Sequence, residues 1–147
     1  MTSIEHLTLQ NFRNITEIKM PFSPGIHFIF GENGSGKTSL LESLYSLTHG
    51  RSFRSRQTQQ MVQDNKDLFR VIISIRNDSA PYLIGWEKHK KKDSILKVNG
   101  DTIQQFSTIA AKFPTLFIDT DSHRQLASGP KSRRQFIDWA VFHCIPE

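Results

Sequence analysis

Ile26-His27-Phe28-Ile29-Phe30 runs directly into Gly31-Glu32-Asn33-Gly34-Ser35-Gly36-Lys37-Thr38, and this stretch decides the fold class. The first segment is short and nearly all apolar, which predicts a strand buried on both faces. The second fits G-x-x-x-x-G-K-[ST] with every fixed position filled. Leu40, Leu41, Leu44, Tyr45 and Leu47 then recur as one apolar stripe, and His49-Gly50 supplies the helix stop. Strand, glycine-rich loop and helix in that order predict an α/β fold of the P-loop NTPase type.

Phosphate chemistry accounts for the residue types. Peptide N–H groups approach a phosphate closely only where no Cβ intervenes, and Gly31, Glu32, Asn33, Gly34, Ser35 and Gly36 supply such a cradle. The helix starting near Lys37 adds about half a positive charge at its N-terminus. Lys37 is expected to reach the β- and γ-phosphates, Thr38 to coordinate Mg²⁺ and Ser39 to add a hydroxyl contact. Asn65-Lys66-Asp67-Leu68 approaches the N-K-x-D sequence of guanine-reading GTPases, but its carboxylate falls one position early, so ATP is the expected nucleotide. Thr115-Leu116-Phe117-Ile118-Asp119 reads as an apolar strand ending in an Asp that could serve a metal. Thr120 follows it rather than Glu, and the plainer reading is a buried strand ending in a polar turn.

Upstream of the loop, Leu7 and Leu9 alternate with Thr8 and Gln10, and Ile15 to Phe22 alternates imperfectly. Two strands are expected there, before the turn Ser23-Pro24-Gly25. Downstream, Val71 to Ile75, Pro81 to Trp86 and Ser94 to Val98 look like strands. Asn99-Gly100 ahead of Asp101-Thr102-Ile103 reads as a hairpin, since both central residues of a type I′ turn need positive φ. Residues 68–104 should therefore form an antiparallel flank, not another βαβ unit. Ser107 to Lys112 predicts a short helix. A last helix is expected from Ser128-Gly129-Pro130, with Phe136, Ile137, Ala140 and Val141 as its buried face.

Two basic clusters stand out. Arg51, Arg54 and Arg56 follow the P-loop helix, and a planar guanidinium binds two phosphate oxygens at once. A solvated charged loop is the plainer reading. Lys131, Arg133 and Arg134 fall in the first turn of the last helix, where positive charge opposes the helix dipole. An anion or acidic partner accounts for that choice, as does a surface salt bridge. Both clusters are candidate DNA contacts. The run Lys88-His89-Lys90-Lys91-Lys92 reads as a solvated edge that resists aggregation.

The chain has 147 residues, 37% apolar and 22% charged, with a net charge of +5. That length suits one domain or a large piece of one, and the composition supports a packed core. Cys144 is the one cysteine, which excludes an internal disulfide framework and a Cys-rich zinc site; the six histidines show no ligand spacing. No charged-then-apolar leader opens the chain, and no run approaches the ~18 apolar residues of a membrane span. A cytoplasmic protein with no membrane role is expected, and its positive charge suits a polyanionic partner.

Asn11-Phe12-Arg13-Asn14 after the first strand, followed by the loop Gly31–Thr38, resembles the nucleotide-binding head of SMC-like ATPases of the ABC class. His49-Gly50-Arg51-Ser52-Phe53-Arg54, Ser128-Gly129-Pro130 and Arg133-Arg134-Gln135-Phe136-Ile137-Asp138-Trp139 narrow the resemblance to the RecF family of bacterial DNA replication and recombinational repair proteins. It runs from the first strand to residue 143. The resemblance implies that residues 1–147 are the first lobe of an ABC-type ATPase head with an antiparallel β flank. It implies ATP and Mg²⁺ as cofactors, with Lys37 and Thr38 on the phosphates and metal, and Arg13 and Asn14 near the ribose or adenine. Read without the resemblance, Arg13 is a strand-end surface charge. Further implied are ATP-dependent homodimerisation, action on single-stranded, gapped or junction DNA, RecR and RecO as partners, and a part in the DNA-damage (SOS) response.

The family's S-x-G-Q type signature segment and its strand ending in Asp-Asp or Asp-Glu do not occur in these 147 residues. By resemblance Asp119 is therefore not the metal-binding Asp; Ile118-Asp119-Thr120-Asp121 stands where relatives often carry Pro-Glu-Asp. The expected function is an ATP-binding lobe that hydrolyses little alone, its parent being a weak DNA-dependent ATPase. Two other readings stay open. One is a small P-loop kinase with Arg51, Arg54 and Arg56 as lid arginines, which a parallel strand order would favour. The other is a non-enzymatic nucleic-acid-binding module whose P-loop is mainly structural.

Overall fold

The computed structural model describes residues 2–78, 80–120, 122 and 129–144, without the side chains of 132, 135, 136, 139 and 142–144. Alternating segments become strands. β1 (Ser3–Phe12) and β2 (Ile15–Pro21) pair antiparallel, with Leu7 opposite Met20 and Phe12 opposite Ile15. β3 (Leu68–Arg76), β4 (Pro81–His89), β5 (Ile95–Val98) and β6 (Asp101–Ile103) follow as a meander. The sheet order is β2-β1-β3-β4-β5-β6, with every neighbour antiparallel. The β5–β6 turn has φ of 51° at Asn99 and 94° at Gly100, as its hairpin chemistry requires.

One face of the sheet is the core. Phe69, Val71, Ile73 and Ile75 alternate inward along β3, and Leu7, Leu9, Ile84, Trp86 and Leu96 join them. Burying side chains of this kind contributes about 1.5–3 kcal/mol each. α1 (Lys37–His49) and α2 (Phe106–Lys112) cover that face through Leu40, Leu47 and Ile109. Trp86 sits centrally, edge-on to Phe69 and Phe106 with centroids 4.9 and 5.0 Å away. The other face is polar: Arg70 on β3 pairs with the facing Glu87 on β4, which also receives His89 Nε2 at 2.8 Å. α3 (Pro130–Cys144) is the last element among the described residues.

Four expectations are corrected. Residues 26–30 form no strand, and Ile26, Phe28 and Phe30 are 85%, 85% and 91% exposed. Residues 115–118 likewise form none; Phe117 stacks on Phe53 at 4.3 Å while Leu116 and Ile118 face outward. The reason is common to both. A strand buried on two faces needs neighbours to complete its hydrogen bonds, and among the described residues every strand is already committed to the antiparallel sheet. On α1, Leu41 is exposed, because Ser39, Ser43 and Ser46 share the buried face and let the helix approach closely. On α3, Ile137 and Val141 are exposed rather than buried and Ala140 is half-buried. Ser128, Asp121 and the side chains of Phe136, Trp139 and Cys144 lie outside the described residues.

Candidate functional site

The loop 31–36 turns into α1 at Gly36, the helix N-cap, which has a left-handed φ of 99°. A Cβ there would also come 3.2 Å from Ile15 Cγ1, so both backbone and space favour glycine. Ser35 N–H closes the loop on the Glu32 carbonyl at 3.2 Å, and the first helical bond runs from Leu40 N–H to Gly36 at 2.8 Å. No acidic side chain occupies the first turn of α1. The positive end of the helix is therefore left to face the loop. Lys37 folds back, its Nζ donating to the Gly31 and Glu32 carbonyls at 2.8 Å each.

Two consecutive residues of the β1–β2 turn hold this loop and helix. Asn14 Nδ2 donates to the Gly34 carbonyl at 2.6 Å, while its Oδ1 accepts from Ser39 Oγ at 2.8 Å. Arg13, with a left-handed φ of 52°, sends its guanidinium the other way. It meets Glu42 of α1 as a fork, Nε to Oε2 at 3.0 Å and Nη2 to Oε1 at 2.6 Å. Its Nη1 donates to the Gln60 carbonyl at 2.6 Å and its Nη2 to Ser55 Oγ at 3.0 Å. Glu42 is fully buried and also receives Ser52 Oγ and, at 3.3 Å, Arg54 Nη1. A buried carboxylate persists only with such pairing and hydrogen bonding.

A cavity of about 1060 Å³ opens above these contacts. Asn33, Gly34, Gly36, Lys37, Thr38 and Ser39 line one side. Across from them are Gln60, Val62, Gln63, Asp64 and Lys66, carried by the 3₁₀ turn Thr58–Met61 and the chain beyond it. That second wall is fixed to β1 and the turn after it by Gln63 N–H to Asn11 carbonyl and Arg13 N–H to Met61 carbonyl, both at 2.8 Å. Arg13, Asn14, Thr16 and Arg54 complete the lining, and Gln63 Nε2 donates to Thr16 Oγ1 at 3.1 Å. A space of this size matches small-molecule sites, which occupy roughly 300–1,000 Å³.

The structure thus brings Arg13, Asn14, Asn33, Gly34, Gly36, Lys37, Thr38 and Ser39 to one cavity, together with Arg54. Arg51 and Arg56 are exposed on the loop beside it, and Lys131, Arg133 and Arg134 are exposed on α3; none of these five lines the cavity. Lys90, from the lysine run, is tied down: its N–H donates to Asp67 and its Nζ reaches the Gln63 carbonyl. Sequence reading missed Glu42, Thr16 and the wall Gln60–Lys66. The signal available for Glu42 was a lone acid among the small, buried serines of α1. For the wall the sequence offers only Asn65-Lys66-Asp67, an incomplete guanine-reading motif. Among the described residues no three His, Cys, Asp or Glu side chains gather at a metal position, and no helix is long and apolar enough to cross a membrane.

Comparison with known proteins fits this geometry. DNA replication and repair protein RecF of Coxiella burnetii (strain CbuK_Q154) is 40% identical over 146 residues, 99% of this chain and 41% of that protein. RecF of Shewanella pealeana (strain ATCC 700345 / ANG-SQ1) is 39% identical over 144 residues, 98% of this chain and 40% of its own length. The chain therefore spans about two-fifths of the curated relatives it matches. The solved structure of the recombination mediator protein RecF-ATP in the RecFOR pathway superposes with a TM-score of 0.83 at 28% identity, over 95% of this chain and 39% of that one. An SMC ATPase structure concerned with ATP-driven dimerisation shares the fold at 20% identity and a TM-score of 0.74, covering 93% of this chain and 98% of that one. The neighbours are heads of the ABC-type ATPase class, so the antiparallel sheet with its P-loop helix is the first lobe of such a fold. The family model for the RecF/RecN/SMC N terminal domain matches residues 3–132, and to that family this chain belongs.

Proposed function

We propose that this chain is the ATP-binding lobe of a RecF-like DNA replication and repair protein. One observation carries the reading: a cavity of about 1060 Å³ is lined both by the phosphate loop, steadied by Asn14 and closed by Lys37, and by the chain from Gln60 to Lys66. Loop N–H groups and the N-terminus of α1 attract the phosphates. Lys37 has carbonyl partners it can exchange for phosphate oxygens. The exposed Thr38 hydroxyl lines the cavity and is a hard ligand of the kind Mg²⁺ takes alongside phosphate oxygens. When bound, the metal offsets phosphate charge.

Action on single-stranded, gapped or junction DNA, ATP-dependent pairing of two copies and association with RecR and RecO belong to the same proposal, as properties of a longer parent. Arg51, Arg54, Arg56, Lys131, Arg133 and Arg134 are its DNA candidates. Turnover by this chain alone is expected to be slight. The fully antiparallel sheet stands against the kinase reading, which needs parallel strands.

Calorimetric titration with Mg·ATP is the decisive experiment. Saturable heat is expected, and its absence would overturn the proposal. DNA titrations with and without ATP at several salt concentrations then separate it from a module whose P-loop is only structural, for which ATP changes nothing.

A further inference from the structure

We infer that Glu42 is a positioning residue for the nucleotide cavity, setting the gap between its two walls through Arg13. The inference rests on the nucleotide reading above and deepens it.

Three observations carry it. Glu42 is wholly buried on α1, the helix that presents the phosphate loop, and it does not line the cavity. It acts on a ligand only through other groups. Arg13 spans the structure: its Nε and Nη2 clasp Glu42 while its Nη1 holds the Gln60 carbonyl of the opposite wall. One polar link from one wall to the other thus runs α1–Glu42–Arg13–Gln60, made by side chains alongside the backbone bonds through β1. The same carboxylate gathers Ser52 and Arg54, so the loop beside the cavity is registered to the same point. A planar fork fixes distance and angle together, which a point charge such as Lys cannot do.

The charges make the role separable from simple attraction. Two arginines share one carboxylate, and Arg54, with a side chain 45% exposed, faces the cavity. Removing the Glu42 charge makes the cavity more attractive to any polyphosphate. Removing the positioning harms only a ligand that must touch both walls.

Mg²⁺-bound ATP and inorganic tripolyphosphate are therefore the two probes, titrated calorimetrically against the whole chain and its Glu42→Gln and Arg13→Lys variants, with each thermal unfolding midpoint recorded. Both variants should bind ATP at least about tenfold more weakly while tripolyphosphate affinity holds or rises, and Glu42→Asp should recover part of the ATP affinity. Equal weakening for both probes would make Glu42 a merely structural residue and overturn the inference. Unchanged ATP affinity in Glu42→Gln would overturn it as well. Failure of the unsubstituted chain to bind ATP is a different result: it removes the nucleotide reading itself. Should Glu42→Gln fail to fold, Glu42→Asp decides instead: its shortened arm must weaken ATP binding while sparing tripolyphosphate, and equal weakening of both probes overturns the inference.

Discussion

The ring of Phe106 occupies the space that a side chain on Gly50 would need: a Cβ on Gly50 would lie 2.6 Å from Cδ2 and 2.8 Å from Cγ of that ring. Gly50 caps α1 with a φ of 66°, its N–H bonded to the Ser46 carbonyl, while Phe106 opens α2 and packs edge-on to Trp86. End of helix, start of helix and centre of the core therefore meet at one point. Gly50→Ala combines a clash with a left-handed backbone and should cost about 1–3 kcal/mol. Urea unfolding with an unchanged slope and a lowered midpoint checks it.

Lys37 makes its bonds to loop carbonyls at the cavity and none to the core. Lys37→Ala should leave the unfolding midpoint of the free chain nearly unmoved and abolish the protection conferred by Mg·ATP. For the unsubstituted chain at a hundredfold excess over Kd, that protection is about 2.7 kcal/mol. Thermal unfolding with and without nucleotide measures both quantities.

Asn14 ties the β1–β2 turn to the phosphate loop through Gly34 and to α1 through Ser39. With Asn14→Ala the loop loses both anchors. ATP affinity should fall by roughly tenfold, for a net hydrogen-bond loss of about 1–1.5 kcal/mol. An unchanged Kd by calorimetry would show that the loop keeps its shape without them.

On the polar face of the sheet, burial raises the Glu87 carboxyl, but bonds from Arg70 and His89 outweigh it and hold the group below its ordinary 4.5. Glu5 is likewise lowered, chiefly by its bond from Arg76. A carboxyl lowered by folding adds stability that is full above pH 4.5 and is lost as pH falls through the folded value. The stability gap between the unsubstituted chain and Arg70→Gln should therefore narrow as pH drops through 4.5 and below. A gap that stays constant in acid would sever the link.

Phe28 and Phe30 protrude without strand neighbours. Phe28→Ser with Phe30→Ser should raise the concentration at which the chain self-associates, while shifting stability by no more than about 0.5 kcal/mol. Light scattering and denaturation read the two effects separately.

What could be read from sequence was whatever local chemistry fixes. The Asn99-Gly100 hairpin, the Gly50 stop and the loop from Gly31 to Thr38 each depend on a few adjacent residues, and each formed where expected. Residues 26–30 and 115–118 carry strand-like patterns, yet pattern cannot supply a neighbour, and no strand forms. Periodicity places Leu41 on the buried stripe because it weighs size; the helix buries its serines instead, since close packing favours small residues. Glu42 escaped notice for a related reason. A glutamate within a helix ordinarily faces water, and its burial is tolerable through partners beyond the helix, Arg13 from 29 residues away together with Ser52 and Arg54.

All six strands of the sheet lie before residue 104, and β1 with β3 is the one pairing not made by adjacent strands. During synthesis the framework can therefore close early, by successive hairpins, while later codons are still being translated. Asn14 and Glu42 belong to that early piece, so the nucleotide cradle acquires both of its anchors in the nascent chain. Should the chain bind ATP as proposed, the nucleotide can act as a companion to folding as well as a ligand of the finished protein.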